Sequence, residues 1–225
     1  MPRISSIAAQ TLQRQIHEGR FLSGEMLPGQ RDLSVSLGIS RTALREAIST
    51  LEALGLVRSQ PGKGVFVTAG LRRPLAEVPA GPLALPAQDV FQFRAIVEPA
   101  AAALVARRGN EIARAALEAS QQALETALNS LDLVAASEAD LAFHLALAEH
   151  SANPLLASVI HSLEEPIAYS VRLPFAEPEG LWAPADEHRA VLEAIRLGDG
   201  DAAHTAMSIH LMRAAARIGI HFNAP

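Results

Sequence analysis

Asp140 and His144 stand four residues apart, and His188 and His210 follow at longer range, each inside a run of helical periodicity. At about 100° per residue, His144 lies roughly 40° from Asp140, on a face shared with Leu141, Phe143, Leu147 and Ala148; Glu138 and Glu149 point the other way. His188 falls between Val191, Leu192 and Ile195, and His210 flanks the stripe Ala203, Met207, Leu211, Ala214. A carboxylate on an apolar face is costly unless paired or bound to a cation, and neutral imidazoles beside it are the donors a borderline divalent metal takes. The four side chains suggest one divalent metal at the centre of a helical bundle, zinc first, with nickel or manganese compatible. Spacing alone leaves a second reading open, in which the histidines are satisfied core residues.

Arg94 also lies in an apolar stripe, among Val90, Phe91, Val97 and Ala101, with Glu98 one turn on. It either pairs with Glu98 or reaches the carboxylate of a small organic acid whose other oxygens complete the metal shell. Arg172 is a second candidate cation for such an effector. His150, His161, His204 and His221 have no partner at useful spacing and read as surface or supporting groups, and Tyr169 and Trp182 as packing residues near a pocket mouth. Three His and a carboxylate could also let a metal activate water, so a metal-dependent hydrolase fused to a DNA-binding module is the alternative function. Four protein ligands, however, leave few open positions in a four-coordinate shell, and no general base stands beside them.

These residues need elements to hold them, and the chain divides into two parts. Residues 1–75 hold ten Arg or Lys against five Asp or Glu, whereas residues 76–225 hold nine against nineteen. A basic module neutralises phosphates; its acidic companion must do something else. Between them residues 69–88 carry four Pro and two Gly without helical or strand period, which reads as a linker over 70–86. The absence of Cys excludes disulfides, thiolate metal sites and a Cys nucleophile and points to a reducing compartment, most simply the cytoplasm. The longest run free of Asp, Glu, Lys and Arg is the fourteen residues from His150 to Leu163, so no segment reads as membrane-spanning.

In the basic module a first amphipathic helix runs from Ile4 to Gly19, a second from Gln30 to Leu37, and a third, capped by Ser40, to Leu54 before Gly55. Two short apolar runs, Leu56–Arg58 and Val65–Thr68, flank hairpin chemistry. That is the element order of a winged helix-turn-helix. On the third helix Leu44, Ala47, Ile48 and Leu51 share one side, and Arg41, Thr42, Arg45 and Ser49 the other. Two Arg at i and i+4 near a helix N-terminus, among small polar neighbours, suit entry into a DNA major groove. Arg31 is a further candidate phosphate contact. The wing tip Pro61-Gly62-Lys63-Gly64, with the chain's single Lys, suits a phosphate or the minor groove. A phosphate-loop reading fails, because Gly64 follows Lys63 and Val57 stands where the leading Gly belongs.

The acidic part shows seven helical patterns, over 87–108, 110–130, 134–150, 154–163, 164–173, 184–198 and 200–221. They predict an all-helical antiparallel bundle and a mainly α protein.

The segments from Gly24 to Leu33, Leu37 to Ala47, Leu51 to Val57 and Gly62 to Val67 resemble the DNA-binding domain of the GntR family of bacterial transcription regulators. Gly29-Gln30 stands where that family usually has Ser-Glu or another small residue then Glu, keeping a polar cap and dropping a charge. The resemblance implies that Arg31, Arg41, Arg45 and Gly62 contact an operator, with the recognition helix in the major groove and the wing in the minor groove. The segments 93–98, 140–144, 153–155, 187–195 and 206–211 resemble the FCD effector-binding domain of the FadR subfamily. By that likeness Asp140, His144, His188 and His210 are metal ligands; members that bind acyl-CoA lack this set. The implied organisation is a winged helix-turn-helix over 1–69, the linker, and an FCD-like domain over 87–222. The implied function is that of a homodimeric transcription regulator on an inverted-repeat operator, in the sense of a repressor.

Overall fold

Ser40 Oγ accepts a hydrogen bond from the Ala43 backbone N–H at 3.1 Å, starting the helix the sequence places there. The computed structural model to which this cap belongs describes residues 3–68, 85–176 and 180–222. Helix α1 (Ile4–His17) buries Ala8, Ala9 and Leu12 against α3 (Arg41–Ala53), which offers Leu44, Ala47, Ile48 and Leu51. Between them lies α2 (Gln30–Ser36). Gly29 occupies its cap position and no side chain caps it, so the polar cap expected of Gln30 is not made. Strands β1 (Val57–Gln60) and β2 (Gly64–Val67) form an antiparallel hairpin in the register Val57↔Val67 and Gln60↔Gly64. Val57, Val65 and Val67 are buried, and Arg58 and Ser59 face out. Helices and hairpin together make the expected winged helix-turn-helix.

Most of the expected linker, residues 69–84, lies outside the described residues. The helical part comprises α4 (Ala87–Arg108), α5 (Glu111–Asn129), α6 (Leu133–His150), α7 (Pro154–Ser162), α8 (Glu164–Arg172), a 3-10 turn (Leu173–Ala176), α9 (Ala183–Arg196) and α10 (Gly200–Arg217). Asn110, Asp132, Asn153 and Asp199 each accept a backbone N–H from the first turn of the helix they precede, so four of these starts are fixed by side-chain caps. The periodicity carries the last helix to residue 221, but α10 ends at Arg217, where Gly219 adopts φ +73° and turns the chain. Among the described residues no helix is long and apolar enough to cross a membrane.

Helix α4 lies at the middle of the bundle, against α6, α8, α9 and α10. Its Ala101, Ala102, Ala103 and Ala106 are buried and keep the axes close. A Cβ on Gly200 would stand 3.0 Å from the Ala103 carbonyl and run into Arg107, so only glycine lets α10 start there. Six ionisable side chains lie inside this bundle, none more than 4% exposed: Arg94, Glu98, Asp140, His144, His188 and His210.

The two parts meet along α1 with α6 and α3 with α8. Ala53, at the end of α3, is buried in one cluster with Phe91 of α4 and Tyr169 of α8.

Candidate metal centre and nucleic-acid interface

Helices α6, α9 and α10 each bring one imidazole to the same point. One ring nitrogen from each of His144, His188 and His210 lies within 4.8 Å of the others, and all three rings are buried. Asp140, one turn before His144, sets Oδ1 3.2 Å from His188 Nε2 and 3.9 Å from His144 Nε2. Phe143 stacks on the His188 ring with centroids 3.9 Å apart and planes 10° off parallel, fixing its tilt. The structure thus gathers all four residues that the sequence singles out as ligands.

The electrostatics are those of a site short of positive charge. Burial pushes Asp140 up to about 6, against the pull of His210 and Arg94. Burial also holds His144 and His210 below the ordinary imidazole value and His188 well below it. Asp140 Oδ1 and both ring nitrogens of His188 are buried without a hydrogen-bond partner, as is His144 Nε2. Buried polar atoms are nearly always satisfied. Neutral nitrogens and a carboxylate oxygen converging without donors between them form a set that a divalent cation satisfies, and the residues present fit one.

Behind the ligands stand two carboxylates. Glu98 Oε2 lies 2.7 Å from His144 Nδ1, an ion-pair distance out of line with the ring N–H. Arg94 Nε donates to Glu98 Oε1 at 2.7 Å and its NH1 to Ser170 Oγ at 3.0 Å. Burial alone would raise Glu98; Arg94 and His144 outweigh it and hold the carboxyl at about 2. On the other side Glu187 Oε2 lies 2.8 Å from His210 Nδ1, and Arg217 grips both Glu187 oxygens at 2.9 and 3.0 Å. Sequence reasoning places Glu98 only as a partner for Arg94 and passes over Glu187 and Arg217. Glu187 adjoins His188 yet serves His210 on the next helix, and only its place opposite the α10 stripe could have signalled that.

The two candidate effector cations separate. Arg94 is part of the buried cluster and makes the Glu98 pair. Arg172 is not: it is half-buried, and the charges around its guanidinium are Glu138, Arg3 and Glu165, toward the seam with α1.

On the N-terminal part Arg31, Arg41, Thr42, Arg45, Gly62 and Lys63 are all exposed. The side chains of Arg31, Arg41, Arg45 and Lys63 have no hydrogen-bond or ion-pair partner among the described residues. Thr42, Arg45, Glu46, Ile48 and Ser49 line a concavity of about 450 Å³, with Gln30, Glu52 and Ser59 at its other side. Glu52 accepts from the Ser59 backbone N–H at 2.9 Å and from its hydroxyl at 3.0 Å, tying the last turn of α3 to the wing. Sequence reading missed this tie. The arrangement presents cations on a helix face and on a hairpin tip without ion-pair partners among the described residues, the charges a duplex backbone and its grooves would meet.

Comparison with known proteins agrees with both halves. The family model "Bacterial regulatory proteins, gntR family" matches residues 4–67, and the FCD domain model matches residues 89–213. The chain is 31% identical over 205 residues to the HTH-type transcriptional regulator LutR of Bacillus subtilis (strain 168), covering 87% of this chain and 92% of that protein. It is 29% identical over 208 residues to the galactonate operon transcriptional repressor of Escherichia coli (strain K12), covering 87% and 88%. Among solved structures, E. coli McbR/YncC superposes with a TM-score of 0.53 over 97% of this chain and 98% of that one, at 19% identity, a likeness of fold. These relatives are regulators, which removes the hydrolase alternative. The chain belongs to the GntR family of bacterial transcription regulators, with an FCD domain following its DNA-binding domain.

Proposed function

We propose that this regulator is a metal-dependent sensor of a small carboxylic acid that represses transcription as a homodimer on an inverted-repeat operator. The observation that carries the reading is the buried cluster of three histidines beside Asp140, in which Asp140 Oδ1 and the ring nitrogens of His144 and His188 have no hydrogen-bond partner. Zinc suits three imidazoles and a carboxylate, and nickel or manganese can take the same donors. When bound, the metal supplies a Lewis-acidic anchor for a ligand oxygen. Arg94 supplies the second anchor. Its Nε and NH2 edge is taken by Glu98, so an effector carboxylate engages NH1, where Ser170 is the only partner among the described residues. The galactonate operon repressor is a relative, and galactonate is a polyhydroxy acid; this supports a hydroxy or sugar acid as the effector class.

Effector binding biases the placement of the two DNA-binding domains and so releases the operator, which requires different affinity for the two arrangements. An inverted-repeat operator and a two-fold symmetric dimer go together, each half-site taking one winged helix. The test is a thermal-shift panel of small hydroxy, keto and sugar acids on zinc-loaded protein beside His144→Ala. One acid should raise the melting temperature of the parent protein and leave the variant unmoved. No response to any acid would overturn the sensing role.

A further inference from the structure

We propose that Glu98 and Glu187 are positioning residues of the metal centre, each fixing the tautomer of one histidine ligand, while His188 is left unbraced. The inference rests on the metal reading above.

A neutral imidazole carries one N–H. Only the nitrogen without it can ligate a metal, and the hydrogen bond at the far nitrogen decides which that is. His210 Nδ1 is hydrogen-bonded to Glu187 Oε2 at 2.8 Å; His144 Nδ1 lies 2.7 Å from Glu98 Oε2, out of line for a hydrogen bond but too close to an ionised carboxylate oxygen to hold the lone pair there. Ionised carboxylates only accept, so each claims the proton for Nδ1 and leaves the lone pair on Nε2. The geometry agrees, since His144 Nε2 is the nitrogen turned toward Asp140.

A buried carboxylate would otherwise take up a proton and become a donor itself. Both have a guanidinium behind them: Arg94 on Glu98 and Arg217 on Glu187. Two chains of the form Arg, Glu, His therefore converge on the cluster from opposite sides. Each crosses between helices, α4 to α6 and α9 to α10, so bracing a ring also ties together two of the helices that build the site. The Glu98 carboxylate is shared in this way, with Oε1 on Arg94 Nε at 2.7 Å while Oε2 leans toward His144 and stands 3.4 Å from Arg94 NH2.

His188 differs. Among the described residues no carboxylate stands beside its Nδ1; Asp140 Oδ1 lies at its Nε2 at 3.2 Å, and its orientation comes from stacking on Phe143. It is the ligand that no carboxylate braces from behind.

Two measurements on the full chain test this: the ring ¹⁵N shifts of the histidines in the metal-free protein, which report the tautomer, and zinc affinity by competition with a chelator. In the parent protein His144 and His210 should be Nδ1–H tautomers. Glu187→Ala should lose that preference at His210 alone and weaken zinc binding about 10–100-fold, whereas Glu187→Gln, whose amide oxygen still accepts from Nδ1, should stay within about threefold. If Glu187→Ala does not fold, Glu187→Asp withdraws the oxygen while keeping the charge and carries the same expectation. An unchanged His210 tautomer, or Glu187→Gln falling as far as Glu187→Ala, would overturn the proposal. Failure of the parent protein itself to bind zinc would instead remove the metal reading, and is separately visible.

Discussion

Gln13 Oε1 accepts a hydrogen bond from the Val134 backbone N–H at 3.1 Å, so a side chain of the DNA-binding domain caps the helix that carries Asp140 and His144. The same side chain donates to the Leu131 carbonyl at 3.1 Å, at a residue whose φ of +55° is unusual for leucine. Helix α6 thus begins on α1 and, within about three turns, carries two of the four proposed metal ligands.

Gln13→Ala should cost about 1–2 kcal/mol of stability, the range for lost capping hydrogen bonds. It should also cut communication. Hydrogen exchange of α1 amides should slow when zinc is added to the parent protein and respond much less in the variant. An equal response in both would show that the link runs elsewhere, along α3 and α8 for example.

The DNA face separates two roles. Lys63 at the wing tip, a compact charge among glycines, should act on the backbone: Lys63→Ala should weaken binding to all duplexes alike and reduce the salt slope by about 0.9. Arg45, projecting from α3, should read bases, so Arg45→Ala should lose about 1–3 kcal/mol on the operator with little loss on random duplex. Fluorescence anisotropy on an operator selected from a random pool, repeated across salt, distinguishes the two. Equal losses on both duplexes for Arg45→Ala would reassign it to phosphate.

Much of this was written locally. Ser40, Asn110, Asp132, Asn153 and Asp199 are cap residue types standing where helices start, and the Leu44 to Leu51 face opposes the Arg41 and Arg45 face by periodicity alone. The metal set was half legible in the same way, because Asp140 and His144 share a helix face at a spacing of four. His188 and His210 were legible as inward-facing and no more, since helix packing decides whether two inward residues meet. That limit explains Arg172, which faces inward but toward the α1 seam, and Glu187, whose partner lies across a helix boundary. Local pattern also overran at the end of α10, where hydrophobic spacing continues past a glycine that turns the chain.

The base of the wing is held by its buried valines and by backbone bonds to residues 24–27, and Glu52 adds a side-chain tie from α3 to the outer strand. Glu52 accepts two hydrogen bonds from Ser59, both lost in Glu52→Ala, leaving the Ser59 N–H to water on an exposed strand. The stability loss should be modest, about 1 kcal/mol, but the hairpin tip should move relative to α3. The expected result is weaker operator binding with the Lys63 contribution gone, so that adding Lys63→Ala to Glu52→Ala costs little more. Additive losses in that double-mutant cycle would argue that Glu52 does not place the wing.

Proton competition for the centre should be governed by Asp140. Its carboxyl titrates at about 6 because burial disfavours the charge, while burial keeps the three imidazoles below their ordinary value. Zinc needs the carboxylate ionised, so native-state affinity should be flat above pH 6 and fall about tenfold per pH unit just below it. The stability signs differ by group. Between the unfolded value of 3.8 and about 6 the folded protein binds a proton at Asp140 that the unfolded chain does not, so this contribution falls as pH rises through that window. The histidines act oppositely: below 6.5 the unfolded chain takes up protons that the folded imidazoles refuse, and stability falls as pH drops. Asp140→Asn removes the first effect, together with the Asp140 charge that partly offsets burial at His210. In chelator at pH 7.5 it should be more stable than the parent protein by about 1–3 kcal/mol in urea unfolding, and at pH 4 the two should converge. With zinc present at pH 7.5 the order should reverse, because the carboxylate that is a burden without the metal is a ligand with it. An Asn variant less stable in chelator at pH 7.5 would mean that Asp140 is already compensated inside the fold and is not held in readiness for a cation.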